Sequence, residues 1–182
     1  MQYGIYFNQN RCTGCFTCTV ACRDWHNIPA GPVSRIRIKT LEKGVFPEVF
    51  VAFLPVICYH CQEPACVSAC PENAVYKRAE DGIVDVDGEM CLGKDDCALC
   101  LDACPYDIPQ FGEEENAGMQ KCNLCLERWS EGKKPVCVNG CPTRALDAGP
   151  LNELKEKYHE INHAEGFERK ETFPSIIFNN AC

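Results

Sequence analysis

Residues 11–22 read RCTGCFTCTVAC, and residues 121–146 read KCNLCLERWSEGKKPVCVNGCPTRAL. The first stretch sets cysteines at 12, 15, 18 and 22; the second sets them at 122, 125, 137 and 141. Two similar stretches lie between them. CYHCQEPACVSACPENAV, from residue 58, carries Cys58, Cys61, Cys66 and Cys70, and CLGKDDCALCLDACP carries Cys91, Cys97, Cys100 and Cys104. Of 17 cysteines, only Cys182 falls outside these quartets. Their common phrase is C-x2-C-x2-C-x3-C-P, with Pro71, Pro105 and Pro142 in the last slot and Arg23 replacing it in the first quartet. The second quartet widens its middle gap, and the fourth inserts a long excursion. The third departs most: Lys94 occupies its regular first slot, and Cys91 stands three residues upstream.

Such a cysteine density admits disulfides, zinc or iron–sulfur clusters. Disulfides need an oxidising compartment. The opening MQYGIYFNQNRC has neither the basic region nor the apolar run of a leader. It reads as a short strand entering the first cysteine. No apolar run reaches bilayer length. The expectation is therefore a cytoplasmic chain with reduced thiols and no membrane insertion. Zinc takes C-x2-C pairs, but three thiolates within seven residues crowd a tetrahedral ion, whereas they suit three corners of a cube. The fourth cysteine, on a following helical turn, points toward a second cluster. Four [4Fe–4S] clusters are expected. The third site leaves three outcomes open: Cys91 reaches past Lys94 to a full cluster, or a [3Fe–4S] centre forms, or the site is empty.

The formal charge of −8 would fall to roughly −16 with four such clusters, which argues against nucleic acid and anionic membrane as partners. Aliphatic and aromatic residues suffice for only a modest core, so metal binding should be coupled to folding. RIRIKTL, from residue 35, and EVFVAFLPVI, from Glu48, read as strands turning near Gly44. AVYKRAEDGIVDVD reads as a hairpin about Asp81-Gly82, and FGEEENAGMQKC as a looser one. Short helices are expected after the third cysteine of each motif. PLNELKEKYHEINHAEGF reads as a surface helix with Leu151, Leu154, Tyr158 and Ile161 inward. The exposed-looking Ile176–Phe178 segment either seals a sheet edge or reaches another subunit. His60, between Cys58 and Cys61, has its backbone near a cluster and either packs there or tunes potential through a hydrogen bond; His26, His159 and His163 are assigned to the surface. Trp25, Trp129, Phe16 and Phe111 should shield clusters from water, and Asp95 and Asp96 either approach the third cluster as oxygen ligands or cap its loop.

On RCTGCFTCTVAC, CYHCQEPACVSACPENAV and MQKCNLCLERWSEGKKPVCVNGCPTRAL, the chain resembles the four-cluster iron–sulfur subunits of molybdenum and tungsten pterin oxidoreductases, the dimethyl sulfoxide reductase type. It also resembles the compact electron-transfer subunits of tungsten enzymes of the aldehyde oxidoreductase and class II benzoyl-CoA reductase types, found in anaerobes. The resemblance implies an α+β fold. Residues 1–149 would form two interlocked bacterial-ferredoxin-like halves related by a pseudo-two-fold, with 150–182 as a helix and strand-like tail packed on the core or on a partner. It implies crosswise ligation. Cys12, Cys15 and Cys18 would share a cluster with Cys141; Cys122, Cys125 and Cys137 with Cys22; Cys58, Cys61 and Cys66 with Cys104; and Cys91, Cys97 and Cys100 with Cys70. It implies a non-catalytic subunit relaying single electrons to or from a larger molybdenum or tungsten pterin catalytic subunit, with a further donor or acceptor protein at the other end. The alternative is a free polyferredoxin serving several enzymes; a third, unrelated reading is a structural zinc module.

Iron and acid-labile sulfide should each reach about sixteen per chain if all four clusters assemble. Zinc in quantity without sulfide would overturn the assignment.

Overall fold

The computed structural model describes residues 1–158 and 163–179. It is an α+β arrangement of short helices and small sheets. The central sheet joins both ends of the chain. Strand β1 (Tyr3–Asn8) lies in the middle, antiparallel to Leu146–Pro150 and parallel to Ile176–Asn179. Alternation along β1 explains the arrangement. Ile5 and Phe7 enter the main core with Ile176 and Phe178, while Tyr6 faces the other way with Ile177. The segment expected to look exposed is therefore wholly buried and seals an edge of this sheet. Its partner is a strand at the opposite end of the chain, which no local pattern reveals.

Strands β2 (Ile36–Val45) and β3 (Glu48–Ile57) form a long hairpin in continuous register from Ile36↔Ile57 to Val45↔Glu48. Its base is apolar and buried at Ile36, Leu54 and Ile57. Its tip projects, with Val45 79% and Phe46 90% exposed. Two smaller hairpins follow, β4 (Val75–Lys77) with β5 (Val84–Val86), and β6 (Gln110–Phe111) with β7 (Met119–Gln120).

The helices begin one residue before the third cysteine of each quartet, not after it. They are α1 (Thr17–Trp25), α2 (Ala65–Ser68), α3 (Leu99–Ala103) and α5 (Val136–Asn139), with α4 (Leu126–Trp129) inside the fourth quartet's excursion. The third cysteine thus sits in the first turn, and the fourth follows one turn later. Helix α1 packs on α5, and α2 packs on α3. Among the described residues no helix is long and apolar enough to cross a membrane.

Strand β8 (Leu146–Pro150) runs directly into α6 (Leu151–Tyr158). Leu154 is buried beneath that helix; Ile161 and His159 lie outside the described residues. One carboxylate fastens the helix. Asp147, 5% exposed, accepts from Tyr158 Oη at 2.6 Å, from Lys157 Nζ at 3.0 Å and from Lys134 Nζ. Burial alone would raise its pKa and is the largest single effect. The hydrogen bonds from Lys134, Tyr158, Lys157 and the Ala148 amide together outweigh it and hold the carboxyl at about 2. Tyr158 also stacks on Tyr6 at 3.6 Å between centroids.

A carboxyl depressed on folding stabilises above its unfolded pKa, and that contribution fades as pH falls toward 2. Asp147→Asn should accordingly cost about 2 kcal/mol at pH 7, seen as a lowered midpoint in anaerobic denaturation.

Candidate metal centres

Two small cavities in the structure each bring three cysteines of one quartet together with one of another. Cys12, Cys15, Cys18 and Cys141 line one small cavity beside Phe7, Ile38 and Pro55. Cys70, Cys91, Cys97 and Cys100 line a second, walled by Val75, Met90 and Phe111. The remaining eight cysteines influence one another electrostatically: Cys58, Cys61 and Cys104 act on Cys66, Cys22 and Cys137 each feel Cys125 and Cys18, and Cys122 feels both Cys22 and Cys58. The Cys66 thiol is pushed up to about 12, first by burial and then by Cys58, Cys104 and Cys61. Burial pushes Cys22 up to about 12, with Cys125 adding to it. Burial also raises Cys122 and Cys137, and each feels Cys22. No described cysteine is in a disulfide.

Local geometry explains the gathering. Cys18 and Cys22 are one turn apart on α1, so one helix serves two sets. Cys66 and Cys70 do the same about α2, Cys100 and Cys104 about α3, and Cys137 and Cys141 about α5. At Gly14, φ is +66°, and a Cβ would lie 2.4 Å from the Phe53 ring of the β2–β3 hairpin. Only glycine lets the first loop close against that wall.

Cys91 joins its set because its loop is tied down elsewhere. Gly93 turns the chain at φ +85°, the Lys94 amide donates to Ala117 O at 3.0 Å, and the Asn116 amide donates to Asp95 Oδ2 at 2.7 Å. Lys94 points outward and is exposed. Asp95 and Asp96 therefore bind the neighbouring loop through Asn116. Met119 N donates to Cys91 Sγ at 3.5 Å. Similar N–H···S bonds reach Cys122 from Leu124 at 3.3 Å and Cys141 from Ala145 at 3.2 Å.

One histidine stands differently from expectation, and a second takes up one of the two roles open to it. His26, assigned to the surface, is half-buried, with Nε2 3.4 Å from Cys125 Sγ. His60 does more than pack. It is 0% exposed, and its Nδ1 accepts the Val84 amide at 3.0 Å. Burial holds the ring neutral, assisted by Lys121, so Nε2 carries the proton, and it has no acceptor among the described residues. A buried lysine stands beside it that no sequence pattern singles out. Lys121 is 3% exposed and donates to Val84 O and, at 3.0 Å, to Cys122 O. Of the expected shields, Phe16 and Phe111 border the two cavities, and Trp129 packs on the main core. Trp25 is 44% exposed and lies against the Arg128 guanidinium.

Residues 49–151 match the family described as 4Fe-4S dicluster domain. Over 97% of its length the chain is 42% identical to the B subunit of anaerobic dimethyl sulfoxide reductase from Escherichia coli K12, covering 87% of that protein. It is 44% identical to YnfG of the same strain, a probable anaerobic dimethyl sulfoxide reductase subunit, with the same shares covered. Protein NrfC of that strain is 38% identical over 88% of this chain and 71% of its own length. The chain belongs to the dimethyl sulfoxide reductase family of iron–sulfur subunits.

A member of this family carries [4Fe–4S] clusters, and three features of the structure fit them. First, burial raises Cys18 and Cys61 to about 11, as it raises Cys22 and Cys66 further, so these thiols resist ionisation unless a metal cation compensates. Second, Lys121 has no ion-pair partner among the described residues; a buried ammonium needs counter-charge, which anionic clusters supply. Third, the buried Nε2–H of His60 needs an acceptor, which a cluster held by the neighbouring Cys58 and Cys61 would supply.

Proposed function

We propose that this chain is the electron-relay subunit of a larger oxidoreductase and holds four [4Fe–4S] clusters on the four mixed thiol sets. The observation that carries this reading is the lining of two cavities, Cys12, Cys15 and Cys18 with Cys141 in one and Cys91, Cys97 and Cys100 with Cys70 in the other; the other two sets are proposed on the same pattern. When bound, each cluster supplies reversible one-electron storage. The chain supplies placement, insulation from water and tuning of potential. It makes and breaks no substrate bonds.

The sets would follow one another in a row. Cys18 and Cys22 on α1 link the first set to the second. Cys122 feels Cys58, which brings the second set beside the third. Helices α2 and α3 link the third to the fourth. The contacts of α1 with α5 and α2 with α3 support two ferredoxin-like halves within residues 1–149, related by a pseudo-two-fold, with 150–182 packed upon them.

The relatives' names point to a reductase of which this chain would be the second subunit, and a molybdenum or tungsten pterin chain is the proposed partner. The β2–β3 hairpin borders the first thiol set near its base, through Ile38 and Pro55, and its exposed apolar tip, with Phe46 and Phe50, offers a docking arm. A further donor or acceptor would meet the fourth set. We place the working complex in the cytoplasm, where thiols stay reduced. A free carrier is less well supported, because an isolated polyferredoxin has no use for such an arm.

The native protein should co-purify with a large companion containing pterin and molybdenum or tungsten; a lone monomer from the native source would sink the subunit reading. Crosswise ligation is tested by Cys141→Ser. It should remove or convert the EPR signal of the cluster on Cys12, Cys15 and Cys18 and spare the one on Cys122, Cys125 and Cys137.

A further inference from the structure

Lys121 follows β7 at the point where the second and third thiol sets approach each other. Its ammonium is almost completely buried, and its hydrogen bonds run to two backbone carbonyls, Val84 O and Cys122 O. No carboxylate answers it among the described residues. Its charge is felt by Cys66, whose thiol it lowers against the effect of burial, and by His60. Val84 engages both neighbours at once, giving its amide to His60 and its carbonyl to Lys121. The ammonium is therefore fixed in place and shielded from solvent ions.

We propose that Lys121 is a positioning charge that raises the reduction potential of the cluster held by Cys58, Cys61, Cys66 and Cys104. This rests on the ligand assignment under the proposed function. Reduction adds one electron to a group that is already anionic. A positive charge nearby stabilises the reduced state more than the oxidised one, and burial keeps that interaction from being screened. The two carbonyls hold the ammonium without neutralising it, so its charge is directed to the cluster. A neighbouring carboxylate would have cancelled most of this effect.

The test is EPR-monitored redox titration of the cluster-loaded chain with Lys121 replaced by Gln, Met or Arg. Gln keeps amide donors for the two carbonyls and removes the charge. In Lys121→Gln one cluster should titrate at lower potential. A tenfold loss of its electron occupancy at fixed ambient potential corresponds to about 59 mV for a one-electron couple. The displaced signal should be the one that Cys66→Ser removes. Lys121→Met should shift it in the same direction, and Lys121→Arg should restore it toward wild type. The proposal is overturned if every cluster in Lys121→Gln titrates as in wild type, if only another cluster moves, or if Arg shifts the signal as far as Gln. Where the Gln and Met chains fail to load iron, full loading of the Arg chain supports a required charge, and failure of all three reduces Lys121 to a packing role. A wild-type chain without iron–sulfur signals would instead defeat the functional reading on which the proposal stands.

Discussion

Buried thiols that repel one another's ionisation govern this molecule. Apolar surroundings raise most of the quartet sulfurs, and each set adds mutual repulsion to that burial. Without a cation such an arrangement has little electrostatic reason to persist. With iron it would become a cross-link between segments far apart in sequence, and metal binding would be coupled to folding. The regular structure serves that gathering. The helices are mostly a single turn long, since one turn is the distance needed to hand a cysteine from one set to the next.

The elements around the sets act as wedges and ties. Phe53 on the long hairpin presses against Gly14 and fixes the first loop. Arg23, which stands where the other quartets have proline, donates to the carbonyls of Gly31 and Val33 and so organises the turn after α1. The central sheet binds the termini together, and Asp147 secures α6 over it. None of these residues touches the electrons, yet each limits how far the sulfurs can drift.

Much of this was legible in residue spacing. The quartets, the hairpin from Glu48, the Asp81-Gly82 turn and the inward Leu154 are all local patterns, and local patterns survive folding. The remainder depends on distant chain segments. Ile176–Phe178 is buried because β1 lies alongside it. His26 is half-buried, with Cys125 beside it from the far end of the chain. Cys91 reaches its set because Ala117 and Asn116 hold its loop. Lys121 escapes a sequence reading because lysine is among the residues most often found in water; only a buried anionic neighbour makes its position sensible, and no spacing rule announces one.

The Val84 peptide, which anchors both His60 and Lys121, has another consequence. Both of its hydrogen-bonding groups point away from β4 and are occupied by side chains. At Val84 the outer edge of β5 therefore has no backbone group left to pair with a further strand. A two-stranded ribbon this short would otherwise be an open template for pairing with a neighbouring molecule while the chain awaits its iron. The same two side chains that furnish the interior thus remove one pairing position from the ribbon's open edge.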